Sequence, residues 1–471
     1  MYDILFVGAG VHGAFLACNL IARGWTTPAR LALIDPWPAP LHMWRRNTAR
    51  CGMRFLRSTS SHNMTDDFHA LRGYARTRGY TEDHFLHPYS RPTLDLFNRH
   101  AEEILARSGV DRRLLRGRAV TLERAAPAGP RAAAQRAVAA QRPKEVERGV
   151  AAGNAPETGW IVHTDNGDVP ARNVVLAVGR SEEPRFPDWA THLPTHAPVN
   201  HVFARPGTAA EGDPAGRGDR SEGGDSGAGH AAVRTDAASE EVGADNVTVV
   251  GGGISAVQTA LSLAHGGRRV TLLSRHAIRV AHFDSDPCFM GPRCLSGFLA
   301  LPTAAERLQA IRSARTPGTI PWDVAEGLDA ALTAGTIQFI QDDVDGATMT
   351  GSALRLHLRG GGAHETDRVI LATGFDPGPP RRELLAAISR DAGLPLNTEG
   401  YPAIDRFLRW ERGFFVTSAL AELELGPMAP NIYGAHAALR RILPALAGTE
   451  EAASRVLSPW NPLRESDRRA G

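Results

Sequence analysis

Lysine is almost missing from this sequence. Of its 53 Lys and Arg residues, Lys144 is the single lysine. Cysteine is also scarce, with Cys18, Cys51, Cys288 and Cys294 the four present. None forms a Cys-x-x-Cys pair, which excludes the common zinc and dithiol signatures. Cys288 and Cys294 stand six apart, an irregular spacing for either, so the chain reads as cytoplasmic with reduced thiols. No apolar run approaches the about 18 residues of a membrane helix. The apolar start at Ile4–Val7 has no basic leader before it, so no signal peptide is read. Net charge is only +2, and no basic tract is interleaved with aromatics, which argues against a nucleic-acid partner. Neither a catalytic triad nor a metal-ligand set is found.

What remains is an ordinary globular composition, 42% apolar and 22% charged. At 471 residues the chain exceeds one core and predicts two or three domains. Two glycine-rich turns organise it. Gly8-Ala9-Gly10-Val11-His12-Gly13 follows the apolar run Ile4–Val7, and Gly251-Gly252-Gly253-Ile254-Ser255-Ala256 follows Val247–Val250. Each follows a predicted strand and opens a predicted helix, the context that a dinucleotide fingerprint requires. The first glycine makes a tight turn, the second admits a pyrophosphate, and the third lets helix and strand pack. The helix N-terminus offers free N–H groups to the phosphates.

The acid after the second strand discriminates between nucleotides. Asp35 ends Leu31–Ile34, 22 positions after Gly13, near the spacing of a group that bonds a ribose hydroxyl. An acid repels a 2′-phosphate, so the first site suits FAD or NAD. The matching position of the second unit holds Ser274-Arg275, a hydroxyl and a guanidinium fit to bind that phosphate. The second site therefore reads as one for NADPH. Arg275 is otherwise an ordinary solvated charge in an arginine-rich chain.

The pattern predicts an α/β protein, an FAD-binding Rossmann-like domain with an inserted NADPH-binding Rossmann-like domain. Residues 1–205 form the first part of the FAD domain, interrupted by a low-complexity insert at 125–157. Residues 206–243 read as a disordered insertion, 244–362 as the NADPH domain, and 363–471 as the return segment. Helices are predicted at about 12–23, 94–108, 255–265, 303–334 and 431–447.

The order of these motifs resembles a family. Leu176-Ala177-Val178-Gly179 falls between the two loops, and Leu371-Ala372-Thr373-Gly374-Phe375-Asp376 follows the second. This is similar to the two-dinucleotide-domain flavoproteins, and most similar to class B flavin monooxygenases of the lysine/ornithine N-hydroxylase branch. Gly251–Ala256 resembles that branch's Gly-Gly-Gly-Gln-Ser-Ala. Asn200-His201-Val202-Phe203 resembles its His-Ser-x-x-Tyr/Phe strand, and Thr373-Gly374 its Ala-Thr-Gly-Tyr turn. There are two departures. Ile254 replaces the glutamine that helps hold NADP, and Ala197 stands where a related Phe-x-Gly-x-x-x-His signature would start.

The resemblance implies FAD and NADPH as cofactors, and a small-molecule substrate and dioxygen as partners. It implies hydroxylation of an amine or other soft nucleophile through a C4a-peroxyflavin. Gly8, Gly10, Gly13, Asp35, Gly251, Gly253, Ser255, Ser274, Arg275, Thr373 and Gly374 are the cofactor-binding candidates. Trp44 lies near the flavin or in the core. Met53–Leu56 resembles a substrate-side stretch, with Arg54 and Arg57 there read as surface charges. His201 is a proton donor or a satisfied strand histidine. Asn431 is a plain N-cap, or begins a helix aimed at the flavin. The alternative is an FAD-dependent NAD(P)H oxidase or reductase, or a redox-sensing flavoprotein without oxygen transfer. A disulfide reductase ranks below these, for want of a Cys-x-x-Cys pair. Oligomeric state stays open.

Overall fold

The computed structural model describes residues 1–125, 159–180, 182–204 and 245–449. The inserts expected at 125–157 and 206–243 thus lie, Ala125 aside, outside the described residues. No helix among the described residues is long and apolar enough to cross a membrane.

Two large sheets, one mixed and one wholly parallel, organise the described residues. The first runs Arg409–Glu411, Phe414–Val416, Gly167–Leu176, Tyr2–Val7, Leu31–Asp35, Leu114–Arg116, with Ala119–Arg124 and Trp160–Thr164 extending it. Tyr2–Val7 is central, parallel to Leu31–Asp35 on one side and Gly167–Leu176 on the other. Its Ile4, Leu5 and Phe6 are 0% exposed, as expected of a strand covered on both faces. The second sheet has the order Ile337–Gln341, Arg269–Ser274, Asn246–Val250, Arg368–Leu371, Val199–His201, all parallel. A three-stranded antiparallel sheet, Val344–Thr350, Ala353–Leu358 and Ala363–Thr366, flanks it.

The second sheet draws strands from both sides of the boundaries expected at 205 and 363. Val199–His201 pairs with Arg368–Leu371, so both belong to it. Strand order is set by long-range pairing, which local periodicity does not report.

Helix Leu94–Ser108 starts and stops where the residues dictate. The Thr93 hydroxyl accepts from Leu96 N at 3.4 Å, and Gly109 closes the helix at φ 69°. The helix expected at 303–334 is two, Ala304–Ala314 and Trp322–Thr333. Pro317, Gly318 and Pro321 lie between them, and a proline inside a helix removes a donor and clashes with the preceding turn. Helix Ile432–Ala447 packs on Val11–Ala22, joining the return segment to the first β-α-β unit.

The expectation of reduced thiols is corrected at one pair. Cys288 and Cys294 form a disulfide with a Cα–Cα separation of 5.3 Å, while Cys18 and Cys51 are free and buried. The short helix Pro287–Met290 ends at Gly291, whose extended backbone turns the chain into helix Pro292–Leu299. That reversal brings together two cysteines whose spacing carries no recognisable signature.

Candidate dinucleotide sites and the cavity between them

The first turn has no room for side chains where it packs. Gly8 has φ 108°, and a Cβ there would stand 2.6 Å from Ala177 O. A Cβ on Gly13 would stand 1.9 Å from Gly8 O. Gly10 differs, because a Cβ there meets nothing within 4 Å. It is the N-cap of Val11–Ala22 and makes no side-chain cap, so the helix's first N–H groups face an open cradle. The residues here fit a nucleotide pyrophosphate.

Asp35 closes this turn. Its Oδ2 accepts from Ala9 N at 2.7 Å and its Oδ1 from Trp37 N at 3.1 Å. Burial raises its pKa, and the two backbone N–H bonds oppose that shift. Beyond it lies an ion cluster with no local sequence signal. Glu182 accepts from Trp37 Nε1 at 2.8 Å, Arg118 Nη1 at 2.8 Å and Arg381 Nη1 at 3.0 Å.

The second turn repeats the design. Gly251 has φ 146°, and a Cβ would stand 2.5 Å from Ala372 O. Gly253 is the N-cap of Ile254–His265, again without a side-chain cap, and Ala256 is 0% exposed beneath it. Ser274 is buried, and its hydroxyl donates to His276 O at 2.8 Å, so it shapes the turn from within. Arg275 is exposed and makes no hydrogen bond or ion pair among the described residues. Thr373 donates to Arg185 O, and Gly374, at φ 82°, accepts from Arg185 N at 2.9 Å.

A cavity of about 480 Å³ runs from the first turn towards the second. Gly8, Gly10, Asp35 and Trp44 line it, and so does Ser255 from the second turn's helix. Gly13, Gly251, Gly253, Ser274, Arg275, His201, Thr373, Gly374 and Asn431 stand off its wall. Met43, Met53, Phe203 and Phe375 give the lining an apolar part, beside the polar Asn47 and Thr48. Phe203 and Phe375 stack with centroids 5.1 Å apart. Gly52 lets its own segment pack closely on the second turn's helix, since at φ 65° its Cβ would stand 2.7 Å from Ser262 Cβ.

Trp44 serves both environments named for it. Its ring packs on Phe97 at 5.4 Å and its Nε1 donates to Asn98 Oδ1 at 2.9 Å, while one side faces the cavity. Arg57 is not a surface charge. It donates to His282 O and Ala281 O, each at 2.8 Å, and to Thr319, tying the N-terminal region to the ribbon at 279–320. Arg54 is exposed. Asn431 occupies the N-cap position of Ile432–Ala447, yet its side chain does not cap; it donates to Asp284 Oδ1 at 3.4 Å.

His12 was not singled out from the sequence, although it lies inside the first fingerprint. Its Nε2 donates to Asn431 O at 3.0 Å, so its Nδ1 accepts from the Thr417 hydroxyl at 2.9 Å. It locks the first turn to the return segment. His201, at the end of its strand, accepts at Nδ1 from Phe203 N at 3.2 Å.

Burial pushes five enclosed histidines, His12, His62, His100, His201 and His436, down to about 4. An unfolded chain takes up those protons from about pH 6.5 downward, whereas the folded one refuses them until about 4. Their contribution is complete above about pH 6.5 and is lost as pH falls towards 4. Between about pH 7.5 and 5.5 each should cost about 1.4 kcal/mol, and the thermal midpoint should drop. An unchanged midpoint over that range would mean that these rings are charged in the fold.

Comparisons with known proteins bear on this geometry. Residues 5–181 match the family model described as FAD-NAD(P)-binding. No curated protein matches the chain by sequence. Among solved structures it is similar to an ornithine hydroxylase from Pseudomonas aeruginosa, at 15% identity and TM-score 0.64, covering 95% of this chain and 99% of that one. It is similar to an ornithine N-hydroxylase of Kutzneria sp. 744, described with reduced FAD, NADP+ and L-ornithine, at 14% identity and TM-score 0.62, covering 97% and 100%. A bacillithiol disulfide reductase from Bacillus cereus is similar at 16% identity and TM-score 0.51, covering 95% and 99%. Identities this low establish the fold. Residues 5–181 therefore carry an FAD-NAD(P)-binding domain, and the chain as a whole shares the fold of these solved structures.

Proposed function

We propose that this protein is an FAD- and NADPH-dependent monooxygenase that hydroxylates an amine or another soft nucleophile on a small metabolite. The observation that carries the reading is the shared cavity, with Gly8, Gly10 and Asp35 at one end and Ser255 and Phe375 at the other. Bound FAD supplies a ring that accepts hydride and activates dioxygen. The chain does the rest. Gly10 and the first helix's N–H groups hold the pyrophosphate, and Asp35 holds their turn closed while facing the ribose. The uncapped helix at Gly253 takes the nicotinamide nucleotide's pyrophosphate, and Arg275 takes its 2′-phosphate. Met43, Met53, Phe203 and Phe375 keep water from the space between. The fold shared with ornithine hydroxylases supports an amine substrate.

Ile254, in place of the resembled family's glutamine, favours a second reading, an oxidase or reductase that releases peroxide or passes electrons onward. The purified protein should be yellow with bound flavin. It should oxidise NADPH under air faster when the right amine is present, with hydroxylated product matching NADPH consumed. Stoichiometric peroxide with every amine tried would replace oxygen transfer by the second reading. Protein that stays colourless after incubation with FAD would end both.

A further inference from the structure

The Cys288–Cys294 disulfide takes no part in the function proposed above, yet it sits close to the site. It spans helices Pro287–Met290 and Pro292–Leu299. Asp286 caps the first of these helices, its Oδ1 accepting from Cys288 N at 2.9 Å. The strap lies on the turn that leads into the C-terminal helix. The Tyr433 hydroxyl donates to Met290 O, and Asn431 Nδ2 donates to Asp284 Oδ1. Gly426, at φ 78°, faces the strap's apolar side, where a Cβ would stand 3.4 Å from Leu295 and 3.7 Å from Phe289. Phe298 packs with Tyr401 and Leu423 below.

The turn beneath belongs to the site. Pro430 lines the cavity, and Asn431 O accepts from His12 of the first glycine loop. Disulfide, strap, turn and loop thus form one run of direct contacts. Both bonded cysteines are half-exposed. Cys18 and Cys51 are buried, and burial pushes their thiols up, to about 12 and about 11, which leaves them inert. In a reducing compartment a disulfide of this kind persists as a transient redox element.

We propose that Cys288–Cys294 is a reversible modification site, a redox clasp that keeps the 284–299 strap seated on the 426–433 turn and that a dithiol reductant opens. One thiolate of the reductant attacks a cystine sulfur, breaking the S–S bond and forming a mixed disulfide. Its second thiol then displaces the remaining cysteine. The reductant leaves as a disulfide, and two electrons and two protons end on Cys288 and Cys294. Without the covalent link the two short helices keep only Gly291 and the Phe289–Phe298 contact between them, and the strap's contacts with the turn open more often.

The test uses the full-length protein, oxidised or treated with dithiothreitol, and does not depend on turnover. In the oxidised protein, iodoacetamide should leave both cysteines unlabelled; after reduction under native conditions both should be labelled. Hydrogen exchange should then quicken about 10-fold in 284–299 and in 426–433, and not in the strand Asn246–Val250. Oxidised glutathione should restore the slow pattern. The Cys288→Ser/Cys294→Ser double variant should show the fast pattern without reductant; if it fails to fold, the dithiothreitol arm decides alone. Labelling before reduction, or reduction without change at 426–433, overturns the proposal. Anaerobic NADPH that reduces the pair unaided also overturns it, because the disulfide would then be an electron acceptor and not a clasp.

Discussion

Gly10→Val should yield a folded protein that has lost its flavin. The position has φ −70° and ψ −169°, an extended conformation open to valine, and a Cβ there meets no atom within 4 Å. The protein itself has room for the side chain; the space that valine fills is the one assigned to the pyrophosphate. Losing even one or two charge-assisted bonds from the helix N–H groups, at about 1.5–3 kcal/mol each, lowers affinity about 10- to 10⁴-fold. Flavin content after purification, and the FAD dissociation constant of the apoprotein, read this directly. The only expected stability cost is the modest one of a poor N-cap residue.

The contrast with Gly13→Ala isolates the cause. That single methyl would stand 1.9 Å from Gly8 O, a backbone atom that cannot step aside cheaply. It should lower the thermal midpoint even without FAD, because overpacking strains strand and helix together. If Gly10→Val keeps wild-type flavin content, the pyrophosphate does not lie on this turn.

Arg275→Ala should change which nicotinamide cofactor the protein prefers. The guanidinium is exposed, has no hydrogen-bond or ion-pair partner among the described residues, and follows the strand Arg269–Ser274 one residue beyond Ser274, the residue that matches Asp35 of the first unit. Removing it should raise the KM for NADPH about 10- to 100-fold, the worth of charge-assisted bonds to one phosphate, and leave the KM for NADH nearly unchanged. NADPH oxidation and NADH oxidation are compared in the same preparation. Equal effects on both cofactors would remove the phosphate from this arginine. Ser274, drawn inward to His276 O, should contribute little of that discrimination, so Ser274→Ala serves as the comparison.

The parts of the site that were legible in the sequence are the local ones. A period-2 or fully apolar strand, three glycines and a following helix fit within about 15 residues, although the atoms that exclude a side chain at Gly8 and Gly251 belong to the distant Ala177 and Ala372. The places of Asp35 and Arg275, at and just beyond a strand end, were legible because a strand end is a fixed place in a β-α-β unit. The break of the 303–334 helix was also written in Pro317, Gly318 and Pro321, a signal present but not used.

Other features had no local trace. Arg57 looks like any arginine in a chain with 53 Lys and Arg, and only the approach of the 281–320 ribbon buries it against carbonyls. Glu182 gains its role from Trp37, Arg118 and Arg381, which lie far apart in the chain.

By itself, the order of residues determined that two glycine turns each follow a strand and open a helix, and which side chains stand at and just beyond each strand end, since all of these follow from short-range sterics. Tertiary packing alone decided that Gly8 and Ser255 border one cavity, that His12 reaches Asn431 across 419 positions, and that the segment bearing Cys288 and Cys294 lies on that junction. Those outcomes depend on how two sheets and a returning C-terminal helix dock, and that docking is an energy summed over many distant contacts.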